Sequence, residues 1–194
     1  MNKNITIGMD LGDQSHVIVV LDKDGAQIEC RTVKNTKIAL KRYFQTYAGA
    51  SVAIEAGTHS PWISRLLEQL GCQVYVGNPR KLRLIWDSCD KSDQRDARML
   101  AMVCRLEPRL LWPVVHRDMK AHDDLEVIKA REMLVQSRTK LINHVRCVVK
   151  TRGDRLPKCS TASFAKRAEV ELPEPLTASL NPVIKTIGEL TAKI

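Results

Sequence analysis

Near the start of the chain, apolar residues alternate with small or polar ones: Ile5, Ile7 and Met9 within 5–11. A period of two predicts a buried strand. Residues 16–21, His-Val-Ile-Val-Val-Leu, read as a second strand. Asp22-Lys23-Asp24-Gly25 reads as a turn, with Asp24-Gly25 suited to positive φ. Residues 26–33 then form a third strand, antiparallel to the second. Over 37–47 the spacing changes to that of an amphipathic helix using Ile38, Leu40, Phe44 and Tyr47. Residues 51–55 are a short apolar strand ending in Glu55.

Punctuation sharpens the next elements. Ser60 suits an N-cap, Pro61 the first helical position and Gly71 the stop, with Ile63, Leu66, Leu67 and Leu70 as the apolar stripe between. Residues 72–76 are a strand, broken by Gly77-Asn78-Pro79. Ser92 caps a helix from Asp93 to about Arg105, its inner face Ala97, Leu100, Ala101 and Cys104 or Val103. The order β-β-β-α-β-α-β-α predicts an α/β domain, a mixed sheet with flanking helices of the ribonuclease-H-like kind.

After Pro113 the pattern is helical. Residues 121–151 contain no Gly or Pro and repeat apolar positions from Leu125 to Val149. Gly153 and Pro157 end this stretch. Residues 154–175 read as a loop, and 176–194 as a further apolar helix. The expected division is 1–112, the α/β domain, and 113–194, a helical arm cut short at Ile194 inside a helix–helix pair.

Charge adds a partner class. The 194 residues carry a net +9, and aromatics make up only 4%, which disfavours base stacking as the main binding mode. Residues 1–78 hold 8 Lys+Arg against 7 Asp+Glu, whereas 120–167 hold 12 against 5. A basic surplus beside a balanced domain points to nucleic acid, and equally fits a solvated helix face. The six cysteines include no C-x-x-C pair, and no His stands at zinc-ligand spacing from them, so reduced, buried thiols are expected. No signal segment or membrane-length apolar run is present. The expected setting is cytoplasmic, bacterial, with no membrane partner.

Against this background four acids stand out. Asp10 and Glu55 end apolar strands, and Asp93 and Asp96, three apart, share one face of a helix start. Carboxylates from three elements suit divalent cations working on phosphodiesters: Mg2+, with Mn2+ as substitute, in a two-ion arrangement. Each acid has a plainer reading as well. Asp93 and Asp96 suit a helix N-terminus, and Asp87 and Asp90 compete as ligands.

The stretches Gly8-Met9-Asp10, Ile54-Glu55-Ala56-Gly57, Asn78-Pro79-Arg80-Lys81 and Asp90-Lys91-Ser92-Asp93-Gln94-Arg95-Asp96-Ala97 resemble the bridge-RNA-guided insertion-sequence transposases, across about residues 5–150. The resemblance implies a RuvC-like domain in which Asp10, Glu55, Asp93 and Asp96 are catalytic and bind metal. It implies DNA transposition and recombination guided by a structured RNA, and a dimer or tetramer built through the helical arm. Family members continue into a second domain with a catalytic serine. Strand exchange by this chain alone is therefore expected to be weak or absent. Nucleic-acid contacts are expected from Arg80, Lys81, Arg83, Arg131, Arg138, Lys140, Arg146 and Lys150.

Two alternatives stay open on the sequence. Asp10-Leu11-Gly12 also resembles the first phosphate loop of actin-like and sugar-kinase ATPases, although no second Gly-rich loop follows. A fragment that binds nucleic acid and dimerises without chemistry has the same composition.

Overall fold

The computed structural model describes residues 4–82 and 92–194; Arg83, Trp86, Asp87, Cys89 and Asp90 lie outside the described residues. The chain divides into two compact units, Met1–His116 and Arg117–Ile194.

The first unit runs β1 (Thr6–Leu11), β2 (Ser15–Leu21), β3 (Gln27–Lys34), α1 (Lys37–Phe44), β4 (Ser51–Glu55), α2 (Ser60–Gln69), β5 (Gln73–Gly77), α3 (Pro79–Leu82) and α4 (Asp93–Leu106), with a 3-10 turn at Pro108–Leu111. Among the described residues the sheet has five strands in the order β3-β2-β1-β4-β5. β1, β2 and β3 form an antiparallel meander, and β4 and β5 run parallel to β1. This is the ribonuclease-H-like arrangement that the element order predicts.

Strand alternation divides the unit into layers. Ile7, Met9, Ile18, Val20, Val52 and Ile54 face one way and pack on Leu40, Phe44, Ile63 and Leu67 of α1 and α2. The intervening residues face the other way: Val19 and Leu21 meet Ala97 and Ala101 of α4. Ala53 meets Leu100, Val103 and Cys104, with Leu82 and Leu111 closing the edge.

Gly8 makes the second layer possible. A Cβ there would fall on the Ala97 carbonyl oxygen and 2.5 Å from the Ala101 nitrogen. The backbone of α4 thus lies directly on β1, and small residues at 97 and 101 complete the contact. Both ends of α4 are fixed. Ser92 Oγ accepts from Arg95 N at 3.3 Å, the predicted cap. At the other end, the Arg105 guanidinium donates to the carbonyls of Lys23 and Asp24 in the β2–β3 turn. Gly25 takes φ 85° in that turn, as its Asp-Gly signal predicts.

The second unit contains α5 (Met119–Thr151), α6 (Phe164–Glu171) and α7 (Glu174–Lys193). Asp118 caps α5 by accepting from Ala121 N at 2.7 Å. Ile142, Val145 and Val149 pack with Phe164, Ala168, Leu180, Ile184 and Ile187. The N-terminal half of α5 leaves Val127, Ile128 and Met133 exposed, so the predicted apolar stripe is buried only toward the C-terminal end.

Several local expectations need correction. Ile38 points outward, and the buried face of α1 is Leu40, Tyr43 and Phe44. The helix stops at Phe44, and Tyr47 N donates to the Phe44 carbonyl in a following turn. His59 occupies the N-cap position of α2. Ser60 Oγ instead bonds both the N–H and the carbonyl of Gly57. The region after Asn78 holds the short helix α3, and the supposed loop over 154–175 contains α6. Among the described cysteines only Cys72 and Cys104 are buried; Cys30 and Cys147 are exposed.

Gly8→Ala is expected to destabilise the first unit by roughly 3 kcal/mol or more, because two backbones in contact must separate. Urea denaturation followed by circular dichroism measures this. An unchanged midpoint would mean that α4 does not rest on Gly8.

Candidate metal and phosphodiester site

The acids come together through the contact at Gly8. Asp10 follows Gly8 by two residues on β1 and so shares its face of the sheet. On the neighbouring parallel strand, Ile54 stands opposite Met9, which makes Glu55 the next residue beside Asp10. Glu55 also shares the face of Ala53, the residue that packs on α4. Because Ala97 is held against Gly8, the first turn of α4, with Asp93 and Asp96, is brought toward the same strand ends.

Electrostatics record this convergence. Burial first, and then the negative charges of Asp93, Asp96 and Glu55 in that order, raise the Asp10 carboxyl from 3.8 to about 6. The backbone N–H of Leu11 opposes the shift. Asp93 is exposed, while Asp10, Glu55 and Asp96 are half-buried. Among the described residues no three acids close around one point as a finished coordination sphere. The donor set nevertheless has the chemistry of a hard cation: four carboxylates from three elements, with mutual repulsion that positive charge would relieve.

A second polar group lies after β1 and β4. His59 Nε2 lies 3.0 Å from Asp13 Oδ1, and Trp62 Nε1 donates to His59 Nδ1 at 3.4 Å. His116 Nε2 lies 3.0 Å from Ser60 Oγ. Pairings across 46 and 56 residues leave no local signal, so neither is legible in the sequence. His16 is buried beside Asn35, and among the described residues neither ring nitrogen has a hydrogen bond of good geometry; burial, partly opposed by Asn35, lowers its pKa.

The basic residues named from sequence fall into two sets. Arg80 and Lys81 are exposed on α3, which follows the end of β5, where Gly77 pairs with Glu55. In the second unit Arg131, Lys140 and Lys150 are exposed. Arg146 is partly occupied within its own unit, donating to Cys159 Sγ at 3.8 Å and lying 5.2 Å from the Phe164 ring centroid. Arg138 is half-buried, and its Nε has no partner among the described residues. Among those residues, no helix is long and apolar enough to cross a membrane.

The raised Asp10 pKa fixes the sign of a pH effect. Above about 6 the folded state carries an ionised Asp10 that it disfavours; below the ordinary value of 3.8 the group is protonated whether folded or not. Without divalent cations, Asp10→Asn is expected to raise the melting temperature at pH 7.5. The gain should shrink as pH falls from 6 and vanish below about 3.8. Thermal melts across that range test it; a gain independent of pH would contradict the electrostatic origin.

Residues 7–152 match the profile of the IS110-type DEDD family, described as Transposase. Among solved structures, the chain is similar to RuvC from Thermus thermophilus, at 14% identity and a TM-score of 0.38, over 53% of this chain and 96% of that one. No curated protein matches. The family match spans most of the sequence and includes every strand and all four acids, and on that ground the chain belongs to the IS110-type DEDD transposase family.

Proposed function

We infer that this DNA transposase chain holds divalent metal ions with Asp10, Glu55, Asp93 and Asp96 and uses them on DNA phosphodiesters during transposition. The observation that carries the reading is the placement of half-buried Asp10 on β1 beside Glu55 at the end of β4 and near Asp93 and Asp96 on the first turn of α4, whose charges add to burial in raising its pKa. Mg2+ held by these four carboxylates would supply an activated oxygen nucleophile and stabilisation of the leaving oxygen. Asp10 and Glu55, on the rigid strand ends, set the position of the site. Asp93 and Asp96, on the first turn of α4, complete its charge. Arg80 and Lys81 on α3 hold the DNA backbone beside it.

The helical arm supplies the partners in this reading. Arg131, Lys140 and Lys150 are solvent-facing cations for RNA or DNA phosphates, with Arg138 and Arg146 as lesser contributors. The exposed Val127, Ile128 and Met133 on α5 suit a second copy of the chain, giving the dimer or tetramer that the family resemblance implies. A structured RNA that guides target choice belongs to the same reading, and so does the bacterial cytoplasm as its setting. Membership in a transposase family removes the ground for the kinase alternative.

A binding-only reading has one observation in its favour: among the described residues no three of the acids close around a point. Metal binding separates the two. Titration of Mn2+ followed by electron paramagnetic resonance is expected to find sites that Asp93→Asn weakens at least about tenfold, a change of roughly 1.4 kcal/mol. Asp93 is exposed, so the variant should keep its fold. Equal Mn2+ affinity in the variant and the parent would leave the binding-only reading standing.

A further inference from the structure

The basic surplus of the second unit is not spread along it. Residues 118–132, the cap and first half of α5, carry 3 Lys and Arg against 5 Asp and Glu, whereas 133–167 carry 9 against 1. Six of those nine fall within 150–167: Lys150, Arg152, Arg155, Lys158, Lys166 and Arg167. The family match ends at residue 152, so this cluster lies mostly beyond it.

The fold gathers the six at one end of the unit. α5 stops at Thr151, and Gly153 turns the chain with φ 87°. The returning loop docks on the last turns of α5: Arg146 donates to Cys159 Sγ at 3.8 Å and stands 5.2 Å from the Phe164 ring centroid. Leu156, Pro157, Cys159 and Arg167 line one small void, so the loop lies against the start of α6. All six cations are exposed, and none is in an ion pair among the described residues. Asp154 in the loop and Glu169 and Glu171 farther along α6 pair with none of them. Glu132, the last acid of α5, precedes Lys150 by 18 residues, roughly 27 Å of helix at about 1.5 Å per residue. That exceeds the Debye length of about 8 Å at physiological salt. The acidic half of α5 therefore leaves the positive field of the corner intact.

We propose that the α5–α6 corner, residues 150–167, is the nucleic-acid-binding end of the helical arm and grips a phosphodiester backbone with these six cations. Arginine and lysine in an exposed, unpaired set displace the counterions condensed on a nucleic acid, which is the main source of such affinity. The grip is on the backbone and does not read bases. Phe164 is the only aromatic residue of the stretch, and it is buried, so no base stacks there. The first half of α5 has the opposite character: its net charge is negative, and Val127, Ile128 and Met133 are exposed on it. A polyanion is repelled from that half and attracted to the corner. The proposal rests on the reading of the arm as a nucleic-acid contact and confines that contact to one end. It does not require that the acids of the first unit hold metal.

The test uses the full chain and two variants of equal charge loss. Arg152→Gln/Arg155→Gln/Lys158→Gln alters the corner, and Lys120→Gln/Lys129→Gln/Arg131→Gln alters the first half of α5. Fluorescence anisotropy on a DNA duplex and on an RNA hairpin is followed across a salt series. The corner variant is expected to bind one or both probes at least about tenfold more weakly, with the log–log salt slope reduced by about two to three. The matched variant should stay within about twofold of the parent. The probe that loses affinity identifies the occupant as DNA or RNA; loss of both means that the corner takes either backbone. Arg152→Lys/Arg155→Lys keeps the charge and should keep the parental slope, which separates lost phosphate contacts from a misfolded corner. Equal losses in the two charge variants would overturn the proposal, because net charge alone would then explain binding. Unchanged affinity in the corner variant would overturn it while leaving the arm a nucleic-acid contact elsewhere. No binding of either probe by the parent at low salt would overturn both. Mn2+ affinity should be the same in all variants, which keeps this test separate from that of the metal site.

Discussion

The approach of α4 to β1 at Gly8 is the constraint on which the rest of the first unit depends. A strand without a side chain at that point lets a helix with Ala97 and Ala101 lie on it backbone to backbone. The same contact buries the second face of the sheet and fixes where the first turn of α4 must be. Asp93 and Asp96 lie near enough to act on the Asp10 pKa because residues with almost no volume separate the two elements. Packing on one side of the helix therefore sets the electrostatics at its end.

That arrangement opposes stability to chemistry. Burial at the sheet end, and after it the charges of Asp93, Asp96 and Glu55, disfavour an ionised Asp10 and raise its pKa. The hydrophobic layers hold the acids in place. Ile7, Met9, Ile18 and Ile54 are fully buried beneath the strands that carry Asp10 and Glu55.

The sequence made the elements legible where pattern and punctuation agree. Alternation located the strands to within a residue or so, Asp24-Gly25 marked the hairpin turn, and Ser92 marked the start of α4. Pattern failed where tertiary context decides. Ile38 fits the helical stripe of α1, but the helix turns Leu40, Tyr43 and Phe44 inward. α6 was hidden between prolines because it buries only Phe164 and Ala168. The apolar positions of α5 look uniform along its length, yet only the C-terminal part has α6 and α7 to pack on. At the candidate site, the spacing of Asp93 and Asp96 and the strand-end positions of Asp10 and Glu55 were readable. What holds the four near one another was not, because it follows from the missing side chain at Gly8.

The most direct test of the central claim is a crystal of the full chain soaked in Mn2+, with anomalous scattering measured at the sheet end. The expected result is one or two peaks among the carboxylates of Asp10, Glu55, Asp93 and Asp96, with α4 seated on Gly8. Ordered carboxylates at the same places with no anomalous peak between them would contradict it, and would leave a fold that gathers acids without using them to bind metal.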